Sequence, residues 1–412
     1  MSPPPFRLPG THFAGALVWL VLGGAGLVVI APDLASAQFL NPRVFAVTHL
    51  YTVGVIVASV FGALYQFYPM SLGAAARSAR VGVMGAWLLH VGVALVFAGF
   101  WFWLPALQAA GWWAVFFSIG CVAWNLLPHR RRMTQGKRTA TYVSAAHAML
   151  GIALLLGGAR IGVSLGWWDV DRLGTIAAHF HVAAFGFAGL TAVGVGGRML
   201  PMFMVSGPSP DWLMRTIGPL GSAGLLILAG GLLFGFAPAV WLGAALGLAA
   251  GALFVRMVRG YVSRRLVPRL EPAFGHVIVG FACLVLGLAA GVMQLFLPAF
   301  SARGWVVYAE LILLGWLVVF ITGVMYRLLA FLIWLHFYAS LGSARVAADL
   351  VDRRMAWCAL ALLVAGIGGL VGGTSTGSVL VVRIGAAAFL GGSLFVAAQY
   401  PRMFSGRPAG ER

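Results

Sequence analysis

Three histidines and one carboxylate hold most of the chemistry this sequence can offer. They are His49, the pair His179 and His181 of a His-Phe-His stretch, and Glu310. All four stand inside long apolar runs, where an ionisable side chain is expensive and marks a function with a partner. Two imidazoles on facing helices can hold a heme iron from both sides, given a flat apolar slot and cations near the propionates. Gly, Ala, Phe and Trp are abundant enough to shape such a slot, and Arg43, Arg160 and Arg172 lie closest in sequence to the relevant helix starts. On an ideal helix residues two apart point about 160–200° from one another. His179 and His181 therefore cannot easily bind one ion, but they can face two adjacent sites.

The elements that must position these groups are membrane helices. Of 412 residues, 61% are hydrophobic and 9% charged, against roughly a quarter charged in a soluble domain. Twelve apolar runs, at about residues 13–31, 44–68, 81–104, 111–128, 139–158, 174–201, 216–236, 238–256, 272–296, 305–334, 356–373 and 378–400, are of the length needed to cross a bilayer. The net charge of +18 does not indicate nucleic acid, because its placement follows topology. Only Arg43, Arg160, Arg172, Arg303 and Arg383 of the 27 Lys and Arg fall on one side of these spans. The positive-inside rule then puts both termini in the cytoplasm of a multi-pass protein of the cell inner (plasma) membrane, with anionic lipid of the bilayer as partner of the basic face.

The spans repeat. Span 2 has His49, Gly62 and Pro69; span 6 has His181, Gly194 and Pro201; span 10 has Glu310, Gly323 and Ala330, always at offsets of 13 and 20. The steps are 132 and 129 residues. His12, His147 and His276, early in spans 1, 5 and 9, form a second series with steps of 135 and 129. A fixed period of this kind is the mark of an internally repeated architecture. One transmembrane domain, 1–412, thus divides into repeats at about 8–130, 139–265 and 270–402, three four-helix arcs about a pseudo-threefold axis with spans 2, 6 and 10 innermost. His49, His179, His181 and Glu310 then share a layer about five to seven residues, or roughly 8–10 Å, below the outer surface.

Twelve helices in three arcs, with His49 near the outer start of span 2 followed by Gly62-Ala63-Leu64-Tyr65 and Pro69, resemble subunit I of the heme-copper oxidases and nitric oxide reductases. The His-Phe-His of span 6 before a glycine-rich helix is similar in kind, and the likeness covers about residues 12–400. A looser likeness is to the NnrS family of twelve-helix heme proteins. The oxidase resemblance implies an all-α, cytochrome c oxidase subunit I-like fold, with His49 as an axial ligand of b-type heme, one or two per chain. It also implies a His-x-His on span 10 and a histidine pair for copper on span 7. This chain has Tyr308 and Glu310 at the first position and no histidine between Ile217 and Phe236, so the oxygen-reducing binuclear centre does not carry over.

The repeat makes His181 the counterpart of His49, so the preferred ligand pair is His49 with His181, His179 serving a second site or a hydrogen bond. A lone transmembrane histidine is often only an interhelical hydrogen-bonding group, which is the bland reading of each. Glu310 is a ligand, a proton-handling group or an ion partner. A weaker second site is drawn from His147, His276 and His90, and His129 and His336 read as interfacial. Met199, Met202 and Met204 suit Cu(I) by softness, but such a stripe is more often packing and copper is not expected. Cys121, Cys283 and Cys358 are too scattered for a metal or disulfide framework.

Three functions remain open. The first is a heme-binding protein of electron transfer or of gas or heme handling. The second is an oxidoreductase using His179, Glu310 and Tyr308. The third is a histidine-lined transporter of a small solute, metal or heme. The sequence has no nucleotide-binding loop and no Cys-x-x-Cys-His, so a redox partner must come from elsewhere, a second subunit or a quinone being the candidates.

Overall fold

The computed structural model describes residues 3–128, 136–267, 270–296, 302–339 and 346–405, and every regular element among them is helical. Twelve helices are long and apolar enough to cross a membrane: Arg7–Val29, Pro42–Leu72, Ala79–Trp101, Pro105–Leu126, Lys137–Ser164, Arg172–Met204, Asp211–Leu233, Ala237–Ser263, Pro272–Phe296, Ala302–Phe337, Arg353–Thr376 and Val379–Phe404. They are called spans 1 to 12. They match the twelve apolar runs, and most extend past them by several residues, because a helix continues into the interface where its polar ends meet water and headgroups.

Local chemistry starts and stops them. The Asn41 side chain accepts from the Arg43 N–H at 2.9 Å, and Pro42 fills the first turn of span 2, where its missing N–H costs nothing. Asp171, Ser78, Asp352 and Ser378 cap spans 6, 3, 11 and 12 in the same way. Span 2 ends at Gly73 with φ 67°, a left-handed stop that favours glycine.

Spans 2, 6 and 10 are the inner helices. Their most apolar windows are 67, 61 and 89% buried, against at most 44% for any other span. Each carries a π-helical stretch at the same height: Leu50–Val57, Val182–Gly189 and Glu310–Val318. π-helical turns inside α-helices are rare and frequently found at functional sites. Here each begins at or just after His49, His181 or Glu310.

The outer helices pair as hairpins, 3 with 4, 7 with 8, and 11 with 12, and glycine sets how closely they approach. A Cβ at Gly92 would lie 3.1 Å from the Gly111 carbonyl, one at Gly224 3.0 Å from the Gly243 carbonyl, and one at Gly385 2.8 Å from the Gly369 Cα. Small residues at membrane helix contacts let backbones meet, where packing rather than hydrophobic transfer drives association. Exposed aromatics stand at both ends of the spans, Trp103, Trp167, Phe234 and Phe296 at the arginine-poor end and Trp124, Trp212, Phe337 and Phe404 at the arginine-rich end, as expected of belts at both membrane boundaries.

Candidate histidine site

The three inner spans divide the interior into three sectors, and the four polar groups of the shared layer are distributed among them. They sit deeper than the apolar runs alone suggest. Counted from the helix starts at Pro42, Arg172 and Ala302, they lie seven to nine residues in, about 10–13 Å at the rise of an α-helix.

The sector between spans 2 and 6, closed by spans 3, 4 and 5, holds His49 and His179. Their ring centres are 6.4 Å apart with planes at 36°. Each Nδ1 is committed to a backbone carbonyl: His49 to Phe45 O and His179 to Ala153 O of span 5, both at 2.7 Å. A carbonyl can only accept, so both Nδ1 atoms carry the proton and both Nε2 atoms present a lone pair. This is the tautomer a metal-ligating histidine adopts when its other nitrogen donates to a backbone carbonyl. Phe100 of span 3 stacks on His49 at 5.2 Å, and Gly157 of span 5 faces His179, a Cβ there reaching to 3.5 Å of its ring.

The sequence paired His49 with His181. The ring that faces His49 is instead His179, and His181 turns to the next sector, as the His-x-His spacing requires. There, between spans 6 and 10, His181 Nδ1 donates to Ala177 O at 2.7 Å and its Nε2 lies 3.2 Å from the Tyr308 hydroxyl. In the third sector, between spans 10 and 2, Glu310 Oε1 accepts from Thr374 Oγ1 of span 11 at 2.9 Å. His179, Tyr308 and Glu310 thus each have a separate partner in a separate sector. Neither Ala153 nor Thr374 carries a sequence signal that would have named it, since both partners are set by which outer helix faces the layer.

The arginines hold the arginine-poor rim. Arg172 donates to Leu40 O at 3.3 Å, tying the start of span 6 to the loop before span 2, and Arg160 donates to Val170 O at 3.3 Å. The Arg43 guanidinium lies over the Trp101 ring, 5.4 Å from its centroid. All three flank the sector that holds His49 and His179.

Of the deeper histidines only His12 and His90 come together, with ring centres 6.3 Å apart and planes at 63°; His147 and His276 join neither them nor each other. His90 accepts from the Trp19 indole and bonds Thr11 O, at 3.1 and 3.2 Å, which occupies both nitrogens. His147 stacks on Phe61 at 5.8 Å, whereas His276 meets Tyr326 edge-on at 5.2 Å. Gly62 packs on His12 and Gly323 on His276, but Gly194 packs on Tyr142, so Tyr142 takes the position that the sequence series gave to His147. His336 bonds Leu332 O and Pro4 O, both at 2.9 Å. His129 lies outside the described residues. Met199 and Met204 are buried and Met202 is exposed. Among the described residues no three His, Cys, Asp or Glu side chains converge as a metal site, and the three cysteines are free.

No family model matches this sequence, and no curated protein does. The twelve-helix fold is found among solved structures. A heme-copper terminal oxidase, solved as a dimer, aligns over 96% of this chain and 82% of its own, with TM-score 0.52 and 12% identity. The chain has the twelve-helix fold of a heme-copper oxidase subunit. At this identity the likeness is one of fold.

Proposed function

We propose that the protein binds a b-type heme between spans 2 and 6 through His49 and His179, and that it serves in electron transfer or in gas or heme handling. The observation that supports this reading is the spacing of the two rings. Two imidazoles on opposite sides of one metal ion, with N–metal bonds of about 2 Å, have ring centres roughly 6 Å apart, and these are 6.4 Å apart. The donor set fits as well, because both Nδ1 atoms are tied to carbonyls and both Nε2 atoms offer lone pairs. The heme would supply one-electron redox chemistry. The protein's own part is to fix the tautomer and angle of each ring, to exclude water with the apolar walls of five spans, and to offer Arg43, Arg160 and Arg172 to anionic groups at the rim. The equal build of spans 2, 6 and 10 supports three related repeats within one transmembrane domain.

The test is a visible spectrum and a pyridine hemochrome assay of the purified protein. About one heme per chain is expected for the wild type and for His181→Ala, with loss in His49→Ala and in His179→Ala. A chromophore that survives in both of the latter would overturn the assignment.

A second reading, a transporter, is favoured by a different feature. A wide vestibule on the arginine-rich face, with the Arg327–Glu271 ion pair on its wall, shares Met199, Phe203 and Leu328 with a small apolar cavity between the three inner spans. Protein that stays colourless after hemin addition, with solute flux in vesicles, would place this reading first.

A further inference from the structure

The arginine-rich ends of spans 2, 6, 9, 10, 11 and 12 enclose the vestibule, a cavity of about 1660 Å³. Sites for small organic molecules measure roughly 300–1,000 Å³, so this one has room for a large polar occupant and its hydration.

Its floor holds polar atoms that the protein leaves unsatisfied. Gln66 of span 2 is 2% exposed and donates through Nε2 to Leu328 O at 3.3 Å, which leaves Oε1 without a partner. An amide oxygen only accepts, so Oε1 calls for a donor. The Tyr326 hydroxyl of span 10 is buried without a partner too, and it can donate or accept. The next residue, Arg327, pairs with Glu271 and lies over the rings of Phe203 and Phe274, 5.8 and 5.1 Å from their centroids. Its Nε is buried and unpaired. Each such atom is costly in an interior, and three around one cavity mark a place for an occupant.

The mouth carries the charge. Arg353, Arg354 and Arg402 line it together with Asp349 and Asp352. Both carboxylates are engaged. Asp349 accepts from the Val346 N–H at 2.9 Å, and Asp352 from those of Arg354 and Met355 at 3.0 and 3.1 Å, with Arg402 4.0 Å away. The Arg353 and Arg354 guanidiniums are exposed, with no ion-pair or hydrogen-bond partner among the described residues. They begin span 11, whereas Gln66 lies six residues inside the Leu72 end of span 2, about 9 Å at an α-helix's rise. The wall between is apolar and partly aromatic, with Phe67, Met70, Met199, Met202 and Phe331. An occupant that answers all of this has an N–H donor at one end, a flat apolar body, and an anionic group at the other end.

We propose that the vestibule binds a nucleoside triphosphate. The base offers amino N–H donors to Gln66 Oε1, ring nitrogens to the Tyr326 hydroxyl, and a flat face to the apolar wall. The triphosphate reaches the mouth, where Arg353 and Arg354 make the charge-assisted, bidentate hydrogen bonds that guanidinium forms with phosphate. A fatty anion has no donor for Gln66, and inorganic phosphate leaves the floor and the wall unanswered. The site lies at the opposite face from His49 and His179 and requires no solute flux, so it depends on neither reading above.

The test is equilibrium binding of ATP, without divalent cations, to the purified full-length protein in phosphatidylcholine nanodiscs. Salt at about 0.15 M screens loose attraction to surface charge. Inorganic triphosphate and adenosine serve as the charged and uncharged halves. The wild type is expected to bind ATP about tenfold more tightly than either half, the scale of one or two hydrogen bonds. Arg353→Gln combined with Arg354→Gln, both at exposed positions, should weaken ATP about tenfold and leave adenosine unchanged. Gln66→Leu should bring the affinity for ATP down towards that for triphosphate. No binding of ATP by the wild type, or equal affinity for ATP and inorganic triphosphate, would overturn the proposal without reliance on any variant's folding.

Discussion

His49 and His179 face each other across the sector between spans 2 and 6, ring centres 6.4 Å apart, each pinned through Nδ1 to a carbonyl on a different helix: Phe45 on span 2 and Ala153 on span 5. One ring is thus oriented within its own span and the other by a neighbouring helix. The pair is held as a unit by three spans, the arrangement a ligand set needs if it is to keep its geometry without relying on the metal.

That packing makes Gly157 a sensitive position. A Cβ there would meet His179 at 3.5 Å, ordinary contact distance. Gly157→Ala should therefore keep its chromophore, whereas Gly157→Leu should displace the imidazole and lose most of the heme. Hemochrome content per chain, compared at equal expression, distinguishes the two; equal content in both variants would show that His179 is not held against span 5.

Asn125 stabilises the opposite face. It is fully buried on span 4, donates to Tyr65 Oη and to Ser78 O, both at 3.1 Å, and accepts from the Ser78 N–H at 2.8 Å. Asn125→Ala removes the partner of the buried Tyr65 hydroxyl and of the partly buried Ser78 backbone groups and should cost roughly 1–3 kcal/mol. Tyr65→Phe removes one bond and should cost less. Thermal unfolding in detergent checks the order, which would reverse if Asn125 were only filling space.

The outer hairpins make a steric prediction. A side chain at Gly385 would run into the backbone of span 11, with Leu370 N 2.5 Å from the new Cβ, while a Cβ at Gly372 on the same hairpin meets nothing within 4 Å. Gly385→Leu should lower stability by about 1–3 kcal/mol, the usual cost of overpacking, and Gly372→Leu should be near neutral. Similar melting of the two variants would mean that spans 11 and 12 are not in close contact.

Glu310 is buried, with Oε1 accepting from Thr374 and Oε2 without a hydrogen-bond partner. Glu310→Gln keeps the acceptor and removes the chance of a lone buried charge, so it should unfold at or above the wild-type temperature. Glu310→Ala strands the Thr374 hydroxyl and should unfold below it, by an amount corresponding to roughly 1–3 kcal/mol. Glu310→Gln melting as low as Glu310→Ala would show that a charged carboxylate, and thus an unseen cationic partner, is what the site needs.

Much of this molecule was legible from its residues alone. The twelve spans and the innermost place of spans 2, 6 and 10 follow from apolar run length and from the recurrence of His49–Gly62–Pro69 as His181–Gly194–Pro201, because a bilayer permits few ways of satisfying a backbone. The common depth of His49, His179, His181 and Glu310 follows too, since depth along a helix is a count of residues. Which side chain faces which did not follow. Facing depends on rotation about the helix axis, and the π-helical stretches at Leu50–Val57, Val182–Gly189 and Glu310–Val318 change that rotation within the spans that matter. Repeat arithmetic therefore matched His49 to His181 as equivalent positions, and equivalent positions about a threefold axis point into different sectors. Only the packed structure set His179 against His49, gave Tyr308 to His181, and left Trp316 with an N–H to satisfy.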